Sequence, residues 1–313
     1  MSQTTLDTAY AVCRGIARRE ARNFYYSFLA LPQAKRNALS AVYAFMRHAD
    51  DISDDETTSA EQRRKQLDKW LADWRSLHEG GVSDDPVFVA LADAQRRYNI
   101  PAKLLGQLVE GTRMDLENLP SDGANGFHGG TALASAVRVH RTFADLYRYC
   151  YLVASVVGLV CIRIYGYEDA RAEPLAERCG IAFQLTNIIR DVKEDAARGR
   201  VYLPEEDLSR FGFNVSDFLD HGGARLDQSR LGPLLEFEAQ RAREYYRSAT
   251  ELIPLIHEDS RSALWVMVTI YRRLLDRIAE RKFDVLRGRV RLSSPEKLAI
   301  LGSGMLKSLL HGI

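Results

Sequence analysis

The stretch AVYAFMRHADDISDDE, residues 41–56, changes character partway: an apolar start runs without a break into a cluster of acids. Tyr43, Arg47, Asp50 and Asp54 follow one another at spacings of 4, 3 and 4 residues. At about 100° per residue they fall within roughly 60° on a helix, so the pattern reads as a polar stripe on a core helix. A second stretch, FQLTNIIRDVKEDAARGR at residues 183–200, repeats the arrangement with Gln184, Asn187, Asp191 and Asp195 at spacings of 3, 4 and 4. Aspartate has poor helix propensity and repels its i+4 twin, a cost of a few tenths of a kcal/mol, roughly. Either pair alone reads most simply as solvent-facing. Two such pairs, preceded by Tyr43, Ala44 and Phe45 in one case and by Ile188 and Ile189 in the other, read as facing walls with something cationic between them.

The chemistry that suits these side chains is that of a hard cation. Four carboxylates with the neutral oxygen of Asn187 make a cage for Mg²⁺, which commonly leaves several positions to water or substrate phosphate. Di-iron helical bundles use Glu-x-x-His pairs instead. No glutamate here has a histidine three residues later, so iron is disfavoured. His48 is the one histidine close to a stripe, and its place off the face assigns it to packing or surface.

Outward from the stripes, helical signals dominate. Pro86, Pro101 and Pro295 each follow Ser, Asp or Asn residues, where helices should begin. Apolar residues recur at three- and four-residue steps, as in Leu39, Val42, Tyr43 and Met46. No succession of alternating strand patterns with hairpin turns is present. The expectation is an all-α protein of roughly ten or more helices in one domain spanning residues 1–313. The segment NLPSDGANGFHGGTALAS, residues 118–135, is too poor in large apolar residues to pack and reads as a surface loop.

Composition limits the function classes. In 313 residues, 43 Lys and Arg against 42 Asp and Glu give a net charge of +1, so no global field favours nucleic acid. Cys13, Cys150, Cys161 and Cys179 form no CxxC pair and read as small buried hydrophobes of a reducing compartment. The start MSQTTLDTAY lacks the basic and apolar regions of a signal peptide. The most apolar run, Tyr149–Ile162, falls short of the ~20 residues of a spanning helix. Cytoplasmic is the expected location.

The two acidic stretches, together with NFYYSFLALP (23–32), LYRYCYLVASVVGL (146–159) and GRVYLP (199–204), resemble the squalene/phytoene synthases over residues 21–292. The resemblance implies the all-helical class I isoprenoid synthase fold, with a central cavity between two Asp-rich motifs. It also implies Mg²⁺-dependent head-to-head condensation of two prenyl diphosphates through a cyclopropyl intermediate. By position, Asp50 and Asp54 match the first metal-binding motif, Asp191 and Asp195 the second, and Asn187 the asparagine ahead of it. Tyr43, Arg47, Gln184 and Arg190 match residues that contact diphosphate or line the reaction centre. Tyr149 matches a tyrosine that stabilises carbocations, Tyr271 one near the diphosphate, and Arg289 a basic partner. Asn23, before Phe24, stands where many members have serine, and Ala21 replaces an earlier serine. An asparagine amide can still donate to the second diphosphate.

The chemistry explains the residue types. Breaking the C–O bond of a prenyl diphosphate separates an allylic cation from diphosphate, which must be stabilised while water is kept out. Carboxylates cannot bind diphosphate directly but can hold the metal that does. Arg47 and Arg190 can add charge-assisted bonds to the anion or neutralise neighbouring aspartates. Aromatic faces suit the cation at ~0.5–2 kcal/mol each, although Phe24, Tyr25, Tyr26, Phe28, Tyr43 and Tyr151 read mostly as ordinary core.

VASVVGL with CIRIYGY resembles the squalene branch, so the expected reaction joins two C15 farnesyl diphosphates, with presqualene diphosphate or squalene as the product. The alternatives are a phytoene synthase acting on C20 geranylgeranyl diphosphate and a non-catalytic isoprenoid-binding protein, against which the intact aspartates argue. NADPH enters only if squalene is the product; Gly302-Ser303-Gly304 does not complete a dinucleotide-binding fingerprint. The expected partners are prenyl diphosphates, with no nucleic acid and no obligatory protein. The basic run Arg281, Lys282, Arg287, Arg289 and Arg291 reads first as a solvated face and second as attraction to anionic lipid. The last helix, expected over 296–310, is no anchor, so membrane contact would be peripheral, at the inner membrane face.

Overall fold

The computed structural model describes residues 3–55, 57–117, 139–220 and 226–311; the 118–135 loop lies outside these. Among the described residues the chain forms fourteen α-helices and no strand. They are α1 (Gln3–Glu20), α2 (Arg22–Phe28), α3 (Gln33–Ser53), α4 (Ala60–His78), α5 (Pro86–Arg97), α6 (Ala102–Glu117) and α7 (Phe143–Cys150). A π-helical turn, Tyr151–Ser155, leads from α7 into α8 (Val156–Tyr165). Then come α9 (Ala172–Ala197), α10 (Glu205–Arg210), α11 (Val215–Leu219), α12 (Gln228–Leu252), α13 (Glu258–Glu280) and α14 (Ser294–His311).

Local sequence sets several of these starts. Ser59 and Gln62 close a capping box on α4, and Thr142 with Asp145 does the same on α7. Asp85 accepts from the Val87 amide while Pro86 opens α5, and Asp227 caps α12 through Ser229. Pro101 directly precedes α6, and Pro295 is the second residue of α14.

Two helical groups carry the stripes. α3 packs with α1, α5, α4 and α6, while α9 packs with α12, α8, the π turn and α13. α8 touches both α3 and α9, and α2 and α14 lie on α13. The back of α3 is anchored by Phe45, whose ring stacks 5.7 Å from Trp70, itself 4.2 Å from Phe88. His48 lies 4.0 Å from Trp70, in the packing role expected of it.

The apolar run around Tyr149 is longer in the fold than in the sequence. Phe143–Tyr165 forms 23 continuous helical residues, enough by length and composition to cross a membrane. Its apolar side chains are accounted for within the protein. Leu146, Cys150, Val156, Val160 and Ile162 are core, and Val153, Ala154, Val157, Gly158 and Cys161 line a cavity.

The π turn is held against α9 at a point where only glycine fits. A Cβ on Gly180 would sit 2.5 Å from Ser155 Cα and 2.7 Å from its amide nitrogen, while Ser155 Oγ donates to the Glu177 carbonyl. Gly→Ala inside a helix ordinarily gains about 1 kcal/mol. Here the added methyl meets backbone, and overpacking of this kind costs roughly 1–3 kcal/mol. Gly180→Ala is therefore expected to lower the urea unfolding midpoint. A midpoint at or above that of the wild type would show that α9 and the π turn are not in close register.

Candidate active site

A cavity of about 890 Å³ lies between the two helical groups. Its size falls in the usual range for sites that enclose a small molecule. From α3 it is lined by Leu39, Val42, Tyr43, Met46 and Asp50, and from α9 by Ala176, Cys179, Gly180, Phe183, Gln184, Asn187 and Arg190. Both stripes therefore face one hollow, and both walls grade from polar at one end to apolar at the other. Along α9, Arg190 and Ala176 are fourteen residues apart, about 21 Å at 1.5 Å per residue.

At the polar end, Asp50 Oδ1 accepts from Thr112 Oγ1 of α6 at 3.1 Å. Asp54 is exposed at the C-cap of α3, its amide bonded to the Asp50 carbonyl. Arg47 turns aside: its guanidinium pairs with Asp51 at 2.5 Å, and it does not line the cavity. The choice follows from helix geometry, since Asp51 is its i+4 neighbour.

Across the cavity, Asp191 is the most strongly held carboxylate. Arg190 bonds it through Nε and Nη2, and Arg289 through Nε at 2.8 Å and Nη2 at 2.7 Å. The three side chains are 12%, 15% and 29% exposed for Arg190, Asp191 and Arg289. A carboxylate this sheltered needs such partners to remain charged. Arg289 thus leaves the solvated face expected of the basic run, and Arg291 beside it lines the cavity.

Asn187 bridges the polar and aromatic parts. Its amide nitrogen donates to Gln184 Oε1 at 3.3 Å, while its Oδ1 is buried with no hydrogen-bond partner among the described residues. Tyr271 is buried beside it. Burial pushes its phenol pKa up, and the Arg190 charge and hydrogen bonds from Asn187 and Asn23 pull partly against that. Phe183 stacks on Tyr271 at 4.5 Å, and Phe24 meets the same ring edge-on at 6.1 Å. With Tyr25, Tyr26, Phe28 and Tyr43 also in the wall, these rings line the hollow and are not the ordinary core that their sequence suggested.

Tyr149 departs from expectation. It is 3% exposed, stacked 5.0 Å from Tyr202 and 5.4 Å from His140, and is not among the residues lining the cavity. The π turn supplies the reason. In a continuous α-helix Tyr149 and Val153 would share a face, but the wider turn between them rotates the following residues relative to α7. Val153 and Ala154 face the cavity while Tyr149 stays in the stack.

Of the residues singled out in the sequence, the fold brings Asn23, Phe24, Tyr43, Asp50, Gln184, Asn187, Arg190, Tyr271 and Arg289 onto one cavity, with Asp191 bonded to two of them. Arg47, Asp54, Asp195 and Tyr149 do not line it. Thr112 and Phe183 were missed. Phe183 precedes the Gln184 stripe and looks like core, and nothing in α6 marks Thr112 as a partner of α3. Among the described residues, no three His, Cys, Asp or Glu converge closely enough to hold a metal by themselves.

Comparison with known proteins gives the architecture a family. The squalene/phytoene synthase family model matches residues 17–296. A phytoene synthase of Mycobacterium tuberculosis is 37% identical over 310 residues, covering 99% of this chain and 94% of that one. The 15-cis-phytoene synthase of Synechococcus elongatus is 34% identical, covering 97% and 94%. Among solved structures, a ligand-bound dehydrosqualene synthase superposes with a TM-score of 0.82 at 30% identity, covering 98% of each chain. A squalene synthase of Alicyclobacillus acidocaldarius shares the fold at a TM-score of 0.75 and 24% identity, covering 90% and 97%. The chain, an all-α single unit built around a cavity between two aspartate-bearing helices, belongs to the squalene/phytoene synthase family of head-to-head prenyltransferases.

Proposed function

We propose that this chain condenses two C20 geranylgeranyl diphosphates head to head to form phytoene. The observation that carries the reading is the graded cavity, which sets an arginine- and carboxylate-lined end against a long aromatic and aliphatic one. The C20 substrate is preferred because the 37% and 34% identical relatives, matched over nearly their full length, are named phytoene synthases. The C15 reading drawn from VASVVGL becomes the second choice, favoured by the dehydrosqualene synthase at 30% identity. Phytoene formation is not a net reduction, so this reading calls for no NADPH.

Mg²⁺ fits the residues present. Every donor is a hard oxygen, and the buried Asn187 Oδ1 lacks a partner among the described residues. Asp50 and Asp54 on one side, and Asn187, Asp191 and Asp195 on the other, would hold it jointly with substrate oxygens. When bound, the metal makes diphosphate a better leaving group. The chain's own residues do the rest. Arg190 lies on α9 and pairs with Asp191, while Arg289 comes from the segment after α13 and can exchange that carboxylate for a phosphate. Tyr271, Phe183 and Phe24 present ring faces and edges to a cation and offer it no strong nucleophile, because burial keeps the phenol protonated. Tyr43, Gln184 and Asn23 supply polar contacts beside the diphosphate, and Arg47 reaches it only by leaving Asp51. Tyr149 acts through the stack with Tyr202 and His140, as a support for the cavity wall.

Two experiments test the reading. Purified protein with Mg²⁺ and each diphosphate is expected to give a C40 hydrocarbon from the C20 substrate at higher kcat/KM than any C30 product from the C15 one; C30 product alone would restore the second reading. Asp50→Asn and Asp191→Asn should each lower kcat by on the order of 10²-fold or more, the scale of losing a preorganised electrostatic contact. Their circular dichroism should remain that of the wild type. Wild-type turnover in both variants would remove these aspartates from the reaction, and no turnover of either diphosphate by the wild type would leave a binding protein.

A further inference from the structure

Four of the six large hydrophobic side chains exposed among the described residues lie on α14: Leu298 at 54%, Met305 at 47%, Leu306 at 55% and Leu310 at 65%. At about 100° per residue they occupy a sector of roughly 140°. Ala299 and Gly302 are exposed in the same sector, Ser303 is exposed beside it, and no charged residue falls within it. The opposite face is committed to the fold: Leu301 is buried, and Gly304 lies so close to α13 that a Cβ would sit 2.7 Å from Val266 Cγ2. The Gly-Ser-Gly of this helix is thus partly a packing device.

Lys307 lies beside the stripe and Lys297 on the face turned toward the fold. Lys307 sits over the Trp265 ring at 4.4 Å and Lys297 over Tyr26 at 5.5 Å, while the acid of this helix, Glu296, is bonded to Arg277 at 2.6 Å. Residues 281–311 carry seven Lys and Arg against two Asp and Glu, a net of +5 in a chain whose total is +1. The cavity also opens here. Arg291, Ser294, Lys297 and Leu298 line it from the start of α14, and Arg18 and Arg19 from the end of α1; all but Lys297 are exposed.

We propose that the outer face of α14 docks on a bilayer containing anionic phospholipid, so that the cavity mouth opens at the headgroup level. An uncharged leucine- and methionine-bearing face within a net-positive segment is the pattern of a helix lying in the interface plane. Charge complementarity selects a membrane over a second copy of this chain, because a symmetric dimer through this face would bring two net-positive segments together. The use of the surface as a portal rests on the isoprenoid reading: greasy chains would pass between lipid and cavity beside Leu298 without crossing water.

Flotation of the full chain with vesicles tests the proposal without any substrate. Wild-type protein is expected to float with phosphatidylcholine–phosphatidylglycerol vesicles, less with phosphatidylcholine alone, and less as salt rises. The triple variant Met305→Ser, Leu306→Ser, Leu310→Ser alters exposed side chains that do not line the cavity. It should lose vesicle binding by about tenfold or more, the scale of withdrawing three inserted apolar side chains, and keep the wild-type unfolding midpoint and turnover of detergent-dispersed substrate. Equal flotation of variant and wild type would overturn the proposal. So would absence of wild-type flotation together with a dimer that the variant breaks. Intact flotation with no turnover would sink the proposed chemistry and leave the docking surface standing.

Discussion

The structure turns on one electrostatic constraint: a carboxylate sheltered beside a hollow with largely apolar walls must be paired with opposite charge. Asp191 meets it through two guanidiniums, one from its own helix and one from Arg289, which lies 98 residues further along the chain. Removing an anion from water is costly unless it is paired and hydrogen-bonded, and here both oxygens are engaged by both arginines. The pairing also explains why the segment after α13 folds back over the cavity, with Val285 and Val290 fully buried on either side of Arg289. Asp50 faces the same hollow from α3, where Thr112 donates to it and the Arg47 charge acts on it.

The apolar end depends on close backbone approach. Gly180 lets α9 meet the π turn, and Gly158 brings α8 to within 3.1 Å, measured from an ideal Cβ, of the Ala176 carbonyl. Small residues at these crossings hold the helices close, and Gly158, Ala176 and Gly180 line the cavity together with Val153, Val157 and Cys161. The π turn also decides which aromatic faces the hollow, setting Tyr149 aside and leaving the Phe24, Tyr271 and Phe183 group as the surface that a cation would meet.

Much of this was readable from spacing. Two i, i+4 aspartate stripes on apolar helices, proline at helix starts and the lack of alternating patterns gave the helical architecture and the pairing of the walls. The side chains that spacing does not place are those set by tertiary contact. Arg289 reads from its own run as one more solvated cation and is placed at the site through the family resemblance alone; nothing local reveals that it turns inward to Asp191. Thr112 lies on a helix whose contact with α3 is not encoded in its own periodicity. Tyr149 was misplaced because a π turn has no reliable sequence mark, and it shifts every later residue relative to the helix before it. The aromatics of α2 looked like core because a cavity wall and a packed interior draw on the same residues.

The central claim is that both acidic walls act on one diphosphate through a shared divalent cation. Calorimetric titration with an unreactive thio-diphosphate analogue of the C20 substrate addresses it directly, in Mg²⁺ and in EDTA. Removing the metal should weaken binding by at least about tenfold, with losses of similar size in Mg²⁺ when either Asp50 or Asp191 is changed to Asn. Equal affinity with and without the metal, unaffected by either substitution, would contradict the account.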